Sequence, residues 1–117
     1  MDTTQIVKET VEDFFHLPPG SIDQKTRKRE IVLARQITQY FAYTLNGDSL
    51  SKVGIDTGGC DHATVIYSCK KIRNMISRDH RNRIVDTEIC KAVDRLRIRI
   101  TAKIDQAGGW MDKIPQF

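Results

Sequence analysis

The sequence predicts an all-α domain of about six helices, the last of them long. Three observations lead there. Apolar residues recur at i, i+3, i+4 and i+7 in several stretches, no segment alternates with period two, and proline, glycine and aspartate clusters separate the stretches. A chain of 117 residues suits one core, expected over residues 1–106 with a C-terminal tail at 107–117.

The elements follow in order. Asp2 and Gln5 have the spacing of a capping box, and Val7, Val11, Phe14 and Phe15 carry a first helix to about residue 15. Leu17, Pro18, Pro19 and Gly20 break it, and Ser21 with Gln24 repeats the capping pattern over a short turn. KTRKR at 25–29 has no apolar period and reads as a basic loop. Leu33, Ala34, Ile37, Tyr40, Phe41, Thr44 and Leu45 form one stripe, which predicts a core helix over 30–45. Asn46, Gly47 and Asp48 end it, and Ser49 caps a short helix carrying Leu50 and Val53. Three glycines between 54 and 59 make a turn, after which Asp61 caps a helix with an apolar seam of Val65, Cys69, Ile72 and Ile76. Lys70, Lys71 and Arg73 lie away from that seam. A polar break at 77–82 precedes a final helix over 83–106, with Val85, Ile89, Ala92 or Val93, Leu96, Ile100 and Ile104 as its stripe.

Composition narrows the function. The chain is 39% hydrophobic and 29% charged, and its longest apolar runs fall far short of a membrane span. The N-terminal stretch MDTTQIVKETVEDFF is acidic and amphipathic, so no secretory signal is expected and the cytosol is the expected compartment. Three cysteines without CxxC spacing make no disulfide framework, and no Walker-type phosphate loop is present to support ATP hydrolysis. Charge is segregated. Residues 1–24 hold Lys8 alone against Asp2, Glu9, Glu12, Asp13 and Asp23, whereas Lys25, Arg27, Lys28, Arg29 and Arg35 oppose only Glu30. A second basic segment, Lys70 to Arg83, opposes only Asp79. Such clustering points to a polyanion, nucleic acid ahead of acidic lipid.

Residues 49–77 run short helix, glycine turn, polar-started helix, the order of a helix-turn-helix. Asp61, His62, Ala63 and Thr64 open the second helix with types that read DNA. A carboxylate accepts from a cytosine amine, a small methyl meets a thymine methyl, and an imidazole or hydroxyl bonds a base or phosphate. The same residues also suit an ordinary helix cap, so spacing leaves both readings open.

GGCDHATV at 58–65 resembles GGRDHTTV, the signature opening the recognition helix of the C-terminal DNA-binding domain of the bacterial replication initiator DnaA. VEDFFHL at 11–17 resembles the family's VAEYY(K/H)(I/V), KTRKREIVLARQ at 25–36 its basic loop and VARPRQ, and SLSKVG at 49–54 its SLPEIG. Residues 11–72 lie on that pattern without a gap, and beyond Ile76 the resemblance fades. It implies a double-stranded DNA partner. It implies that Asp61 and His62 reach into the major groove of a short asymmetric box, that Ala63 takes a base-contacting position the family fills with Thr, and that Thr64 meets a phosphate. It also implies Arg29 in the adjacent minor groove, Lys25, Arg27, Arg35 and Gln36 on the backbone, and Lys70 and Lys71 in place of an Arg-Lys pair.

This sequence departs from the pattern at Cys60, which replaces the signature arginine, at Leu33 and Ala34, which replace Arg-Pro, and at Lys52, which reverses a Glu. Those changes bear on site preference more than on DNA binding itself. No counterpart of the family's AAA+ module is present, so a nucleoid-associated DNA binder in replication initiation or its regulation is expected, not a complete initiator. No enzymatic activity and no cofactor is expected. The alternative is a protein-interaction module that keeps the fold. Cys60, His62 and Cys69 have no common zinc spacing, and nothing orients Cys60 and His62 as a nucleophile pair. Cys69 and Cys90 are expected as small buried side chains, Tyr40, Phe41 and Tyr43 mainly as core, and His16 and His80 in solvated turns.

Residues 83–117 are the candidate contact for a second copy or a replication protein. A helix over 83–106 would be about 35 Å long at 1.5 Å per residue, so part of it is expected to protrude. Its stripe from Leu96 to Ile104, with Trp110, Ile114 and Phe117, is expected to fold back on the domain or to self-associate.

Overall fold

A computed structural model describes residues 3–107. Asp2, with its expected cap, and the tail from Gly108, with its expected fold-back through Trp110, lie outside them. Five α-helices and one 3-10 turn follow in order: α1 Thr3–Phe14, the turn Ser21–Asp23, α2 Arg29–Thr44, α3 Leu50–Asp56, α4 His62–Ile76 and α5 Thr87–Gln106. The described residues contain no strand, and their one isolated antiparallel bridge joins Arg78 to Ile84. The all-α class is as predicted.

α1 buries Val7 and Val11 completely against α2 and α5. His16, at φ 57, and the two prolines end it, and Gly20, at φ 86, turns the chain into the 3-10 turn. Ser21 does not cap this turn through its side chain. Its hydroxyl donates to Pro18 O at 2.5 Å, while the Gln24 N–H closes the turn on the Ser21 carbonyl at 3.1 Å. Left-handed Gly20 makes the turn a backbone affair. Two charged residues of α1 then pin it. The Ile22 N–H donates to buried Glu12 Oε2 at 3.1 Å, and Lys8 Nζ, itself largely buried, pairs with Asp23 at 2.7 Å. Charged side chains accept burial here because each finds a partner.

α2 is the central helix, packing on α1, α3 and α4. Ala34, Ile37 and Phe41 are fully buried and Tyr40 nearly so, while Tyr43 stays exposed, so the aromatic cluster is mostly core. Left-handed Gly47, φ 74, ends the helix, with N–H groups of Asn46 and Asp48 donating back to Phe41 O and Ala42 O at 3.2 Å. Two apolar clusters result. The larger joins α1, α2 and α5 through Val7, Val11, Ile37, Phe41, Leu96 and Ile100, and receives Ile72 of α4. The smaller, of Ala42, Val53, Val65 and Cys69, seats α3 and α4 on α2. Each fully buried aliphatic group contributes about 1.5–3 kcal/mol.

α5 begins at Thr87, four residues later than expected, because residues 77–86 form a hydrogen-bonded loop in place of helix. The expected overhang is absent among the described residues. Val93, Leu96, Ile100 and Ile104 are all buried along the helix, covered chiefly by α1. Cys69 is buried as expected, whereas Cys90 is half-buried on the flank of the stripe.

Candidate nucleic-acid interface

The turn between α3 and α4 is built by close backbone approach. Ser49 Oγ accepts from the Lys52 N–H at 3.2 Å and starts α3. At its end the buried Thr57 hydroxyl donates to Val53 O at 2.6 Å and accepts from Gln39 Nε2 of α2 at 3.0 Å. The Cys60 N–H donates to Gly54 O at 2.8 Å, and a Cβ on Gly54 would lie 2.0 Å from Cys60 O. Only glycine lets the two backbones meet there. Gly58, at φ 99, folds the turn against the 3-10 turn, where a Cβ would meet Asp23 O at 3.3 Å. The turn thus sets how far α4 begins from the core.

Asp61 caps α4, its Oδ1 accepting from the Thr64 N–H at 2.8 Å. That backbone bond, with the Thr64 hydroxyl next, holds the carboxyl below its ordinary value of 3.8. The side chain is also exposed. The capping carboxylate is therefore also an exposed one, so capping does not withdraw it from the surface. His62, Ala63 and Thr64 are exposed as well, so the first turn of α4 stands clear of the core. Beyond it Val65, Ser68, Cys69 and Ile72 are buried, while Ala63, Tyr67, Lys70 and Asn74 form an exposed ridge at i, i+4, i+7 and i+11. Tyr67, 59% exposed, is the residue sequence reading missed. Its place four residues after Ala63 was the available signal. Burial pushes the Cys69 thiol above its ordinary value, leaving it a neutral core group.

The residues of the basic segment 25–36 differ in what they touch. Arg35 turns inward: its Nε donates to Ile22 O at 2.8 Å and its Nη2 to Gln24 O, so it ties the loop to the 3-10 turn. Gln36 is 8% exposed and its buried Oε1 has no partner. Arg29 lies in the first turn of α2, not in the loop, and Lys28 at the cap position offers no side-chain acceptor to that helix. The amides that open α2 add to the positive potential of Arg27 and Arg29. Neither of those arginines makes a hydrogen bond or ion pair among the described residues.

Two clefts show which predicted residues come together. One of about 370 Å³ sets Lys25, Arg27 and Arg35 opposite Gly58, Gly59 and half-buried Cys60 of the turn. The other, about 470 Å³, gathers Arg27, Arg29, Gln36 and Lys71 and extends to Met75, Asp86 and Ile89. His62, Ala63, Thr64 and Lys70 line neither cleft and stand on the open surface of α4. The arrangement offers a projecting helix start flanked by a cationic wall. Among the described residues no three His, Cys, Asp or Glu side chains cluster to hold a metal, and no helix is long and apolar enough to cross a membrane.

Residues 4–72, spanning α1 to the greater part of α4, match the family model of the bacterial DnaA protein helix-turn-helix. The chain belongs to this family. Chromosomal replication initiator protein DnaA of Lactobacillus delbrueckii subsp. bulgaricus is 38% identical over 91 residues, 78% of this chain and 18% of the relative. Those of Flavobacterium psychrophilum and Enterococcus faecalis are 38% and 37% identical over 73 residues, 62% of this chain and 15% and 16% of the relatives. The chain thus spans less than a fifth of the length of these DnaA proteins. Its resemblance covers the turn, the start of α4 and the basic loop, and the family match stops before the loop at 77–86 and α5.

Proposed function

We propose that the chain binds double-stranded DNA with sequence preference, serving replication initiation or its regulation on the chromosome in the cytoplasm, without ATPase or other catalytic activity of its own. The observation that carries this reading is the exposed, capped first turn of α4 beside Arg27 of the basic loop and Arg29 of α2, neither of them paired among the described residues. α4 lies in the major groove. There Asp61 accepts from a base amine, His62 bonds a base edge, the Ala63 methyl meets a thymine methyl, and Thr64 holds a phosphate. Arg29 enters the neighbouring minor groove, where narrow width concentrates negative potential. Lys25, Arg27, Lys70 and Lys71 neutralise phosphates, while Arg35 acts from behind by tying the loop to the 3-10 turn and Gln36 lines the cleft beside Arg27 and Arg29. The names of the relatives place those proteins in chromosomal replication initiation, which supports the same setting here. A contact with a second copy or a replication protein through residues 83–117 belongs to this proposal as its protein-facing part.

The test starts from a site selected out of a random duplex library. His62→Ala and Asp61→Asn are each expected to weaken binding to that site by about 1–3 kcal/mol and to leave a scrambled duplex nearly unaffected. Equal losses on both duplexes, or no selected site, would defeat the reading. Arg29→Ala is expected to relax preference at an A·T-rich flank. Lys70→Ala or Arg27→Ala is expected to lower affinity for all sequences and reduce the salt slope by about one unit.

A further inference from the structure

We propose that residues 77–86 form a second DNA contact, a preformed arginine-tipped clamp that holds phosphates flanking the sequence read by α4. This rests on the DNA-binding reading and extends it to a segment outside the family match, which covers residues 4–72.

The segment has no helical period, yet it is tightly built. The Asp79 N–H donates to Arg83 O at 2.7 Å, and the Asn82 N–H donates to Asp79 O at 2.9 Å, with Asn82 at φ 63. Asp79 Oδ1 accepts from the backbone amides of Arg81 and Arg83 at 2.8 and 3.0 Å. Arg78 Nη1 closes the loop on Asn82 O at 2.8 Å. Its feet are fixed too. The Val85 N–H donates to Ser77 O at 3.0 Å and the Asp86 N–H to Met75 O at 2.9 Å, so the loop rides on the end of α4.

Position and charge indicate the partner. Met75 and Asp86, at the base of the loop, share the cleft lined by Arg27, Arg29 and Lys71, which makes the loop continuous with the cationic wall. Arg78, Arg81 and Arg83 are all exposed. The two carboxylates of the loop are engaged: Asp86 caps α5 through the Ile89 N–H, and Asp79 spends Oδ1 on the loop amides while Oδ2 lies 3.8 Å from Arg83 Nε; exposed Glu30 of α2 is the other acidic group lining the cleft. The Arg81 guanidinium has no partner among the described residues. A loop ordered before binding loses little backbone entropy when a phosphate arrives. Three exposed arginines against two carboxylates that are already held in loop and cap bonds leave the loop net positive, and its base adjoins Arg27, Arg29 and Lys71, a placement that suits a duplex backbone.

The experiment uses the whole chain and two duplexes: the selected site alone, and the same site extended by about five base pairs, half a helical turn, on each flank. Arg81→Ala with Arg83→Ala is expected to weaken binding to the extended duplex by about tenfold per lost contact at about 0.1 M salt, and to lower its salt slope by about two units. On the short duplex the two chains are expected to bind alike. Replacing both arginines by lysine is expected to restore the slope. Circular dichroism and the urea midpoint serve as folding controls, since both side chains are exposed. Unchanged affinity and slope on the extended duplex, or equal losses on both duplexes, would overturn the clamp while the His62→Ala selectivity test upholds the DNA reading. Wild-type protein that prefers no duplex would overturn both.

Discussion

α4 and α5 start with the same chemistry and come to different uses. Asp61 accepts from the Thr64 N–H at 2.8 Å, and Asp86 accepts from the Ile89 N–H at 3.0 Å. Each helix buries one apolar face. In α4 the first three residues are all exposed and burial begins at Val65, whereas in α5 Ile89 already packs against the core and the buried stripe runs on to Ile104. The difference lies in what precedes the cap. The Gly54 to Gly59 turn holds the start of α4 away from the core, while the loop at 77–86 delivers the start of α5 between α2 and α1. A cap alone does not decide whether a helix start is exposed; the turn before it does.

If α5 is frame and α4 is reader, their variants must separate stability from recognition. Leu96→Ala empties a fully buried site and is expected to cost about 2–5 kcal/mol in urea unfolding, with DNA selectivity per folded molecule unchanged. Altered selectivity there would break the division. Gly54→Ala comes next. Its Cβ would stand 2.0 Å from the Cys60 carbonyl oxygen, which is backbone and cannot rotate aside, so the turn must open. About 1–3 kcal/mol of stability is expected to be lost. Because α4 is displaced as well, selectivity should fall further than the folded fraction explains. A stable variant with intact selectivity would mean that the turn does not set the position of α4.

Much of this division was legible in the sequence, and the illegible part has a common cause. The stripes of α2 and α4 follow from the 3.6-residue period, and the glycine turn follows from residues that tolerate positive φ. Side chains that bond to backbone at a distance left no period to read. Arg35 carries the same charge as its neighbours, but carbonyls of the 3-10 turn draw it inward. Asp79 looked like one more polar residue in a break, yet its carboxylate organises a loop and delays α5 by a turn. The predicted overhang failed for a related reason: α1 runs along enough of α5 to cover Ile104. The start of α4 was legible only as two open alternatives, cap or base reader; the structure shows the cap, and it leaves the Asp61 carboxylate exposed.

The two caps offer a sharper comparison at lower cost to the fold. Asp61→Ala and Asp86→Ala are each expected to lose about 1 kcal/mol of stability, since each leaves one first-turn amide without its acceptor. Only Asp61→Ala should change discrimination between duplexes. Asp61→Asn keeps a capping oxygen and removes the charge, so stability near that of the wild type with reduced discrimination would separate the two roles. Equal effects of Asp61→Ala and Asp86→Ala on discrimination would remove the contrast between the helices.

The smallest expected effect is a pH dependence confined to the α4 cap. The Thr64 amide bond lowers the Asp61 carboxyl below 3.8, so the folded state binds that proton less tightly than the unfolded chain does. The stability this adds is fully present above the ordinary value and is lost as pH falls through the lower folded value. Asparagine at this position has no charge to lose, and the two proteins share every other carboxylate. The stability of wild type minus that of Asp61→Asn is therefore expected to stay flat from neutral pH to about pH 4 and to shrink below it. Added salt should reduce the flat difference, because the group is exposed and its charge is screened. A difference that fails to shrink below about pH 4, or one that already shrinks near neutral pH, would show that the carboxylate does not hold the Thr64 amide in solution, and the first turn of α4 would then lack the ordering that its proposed reading role needs.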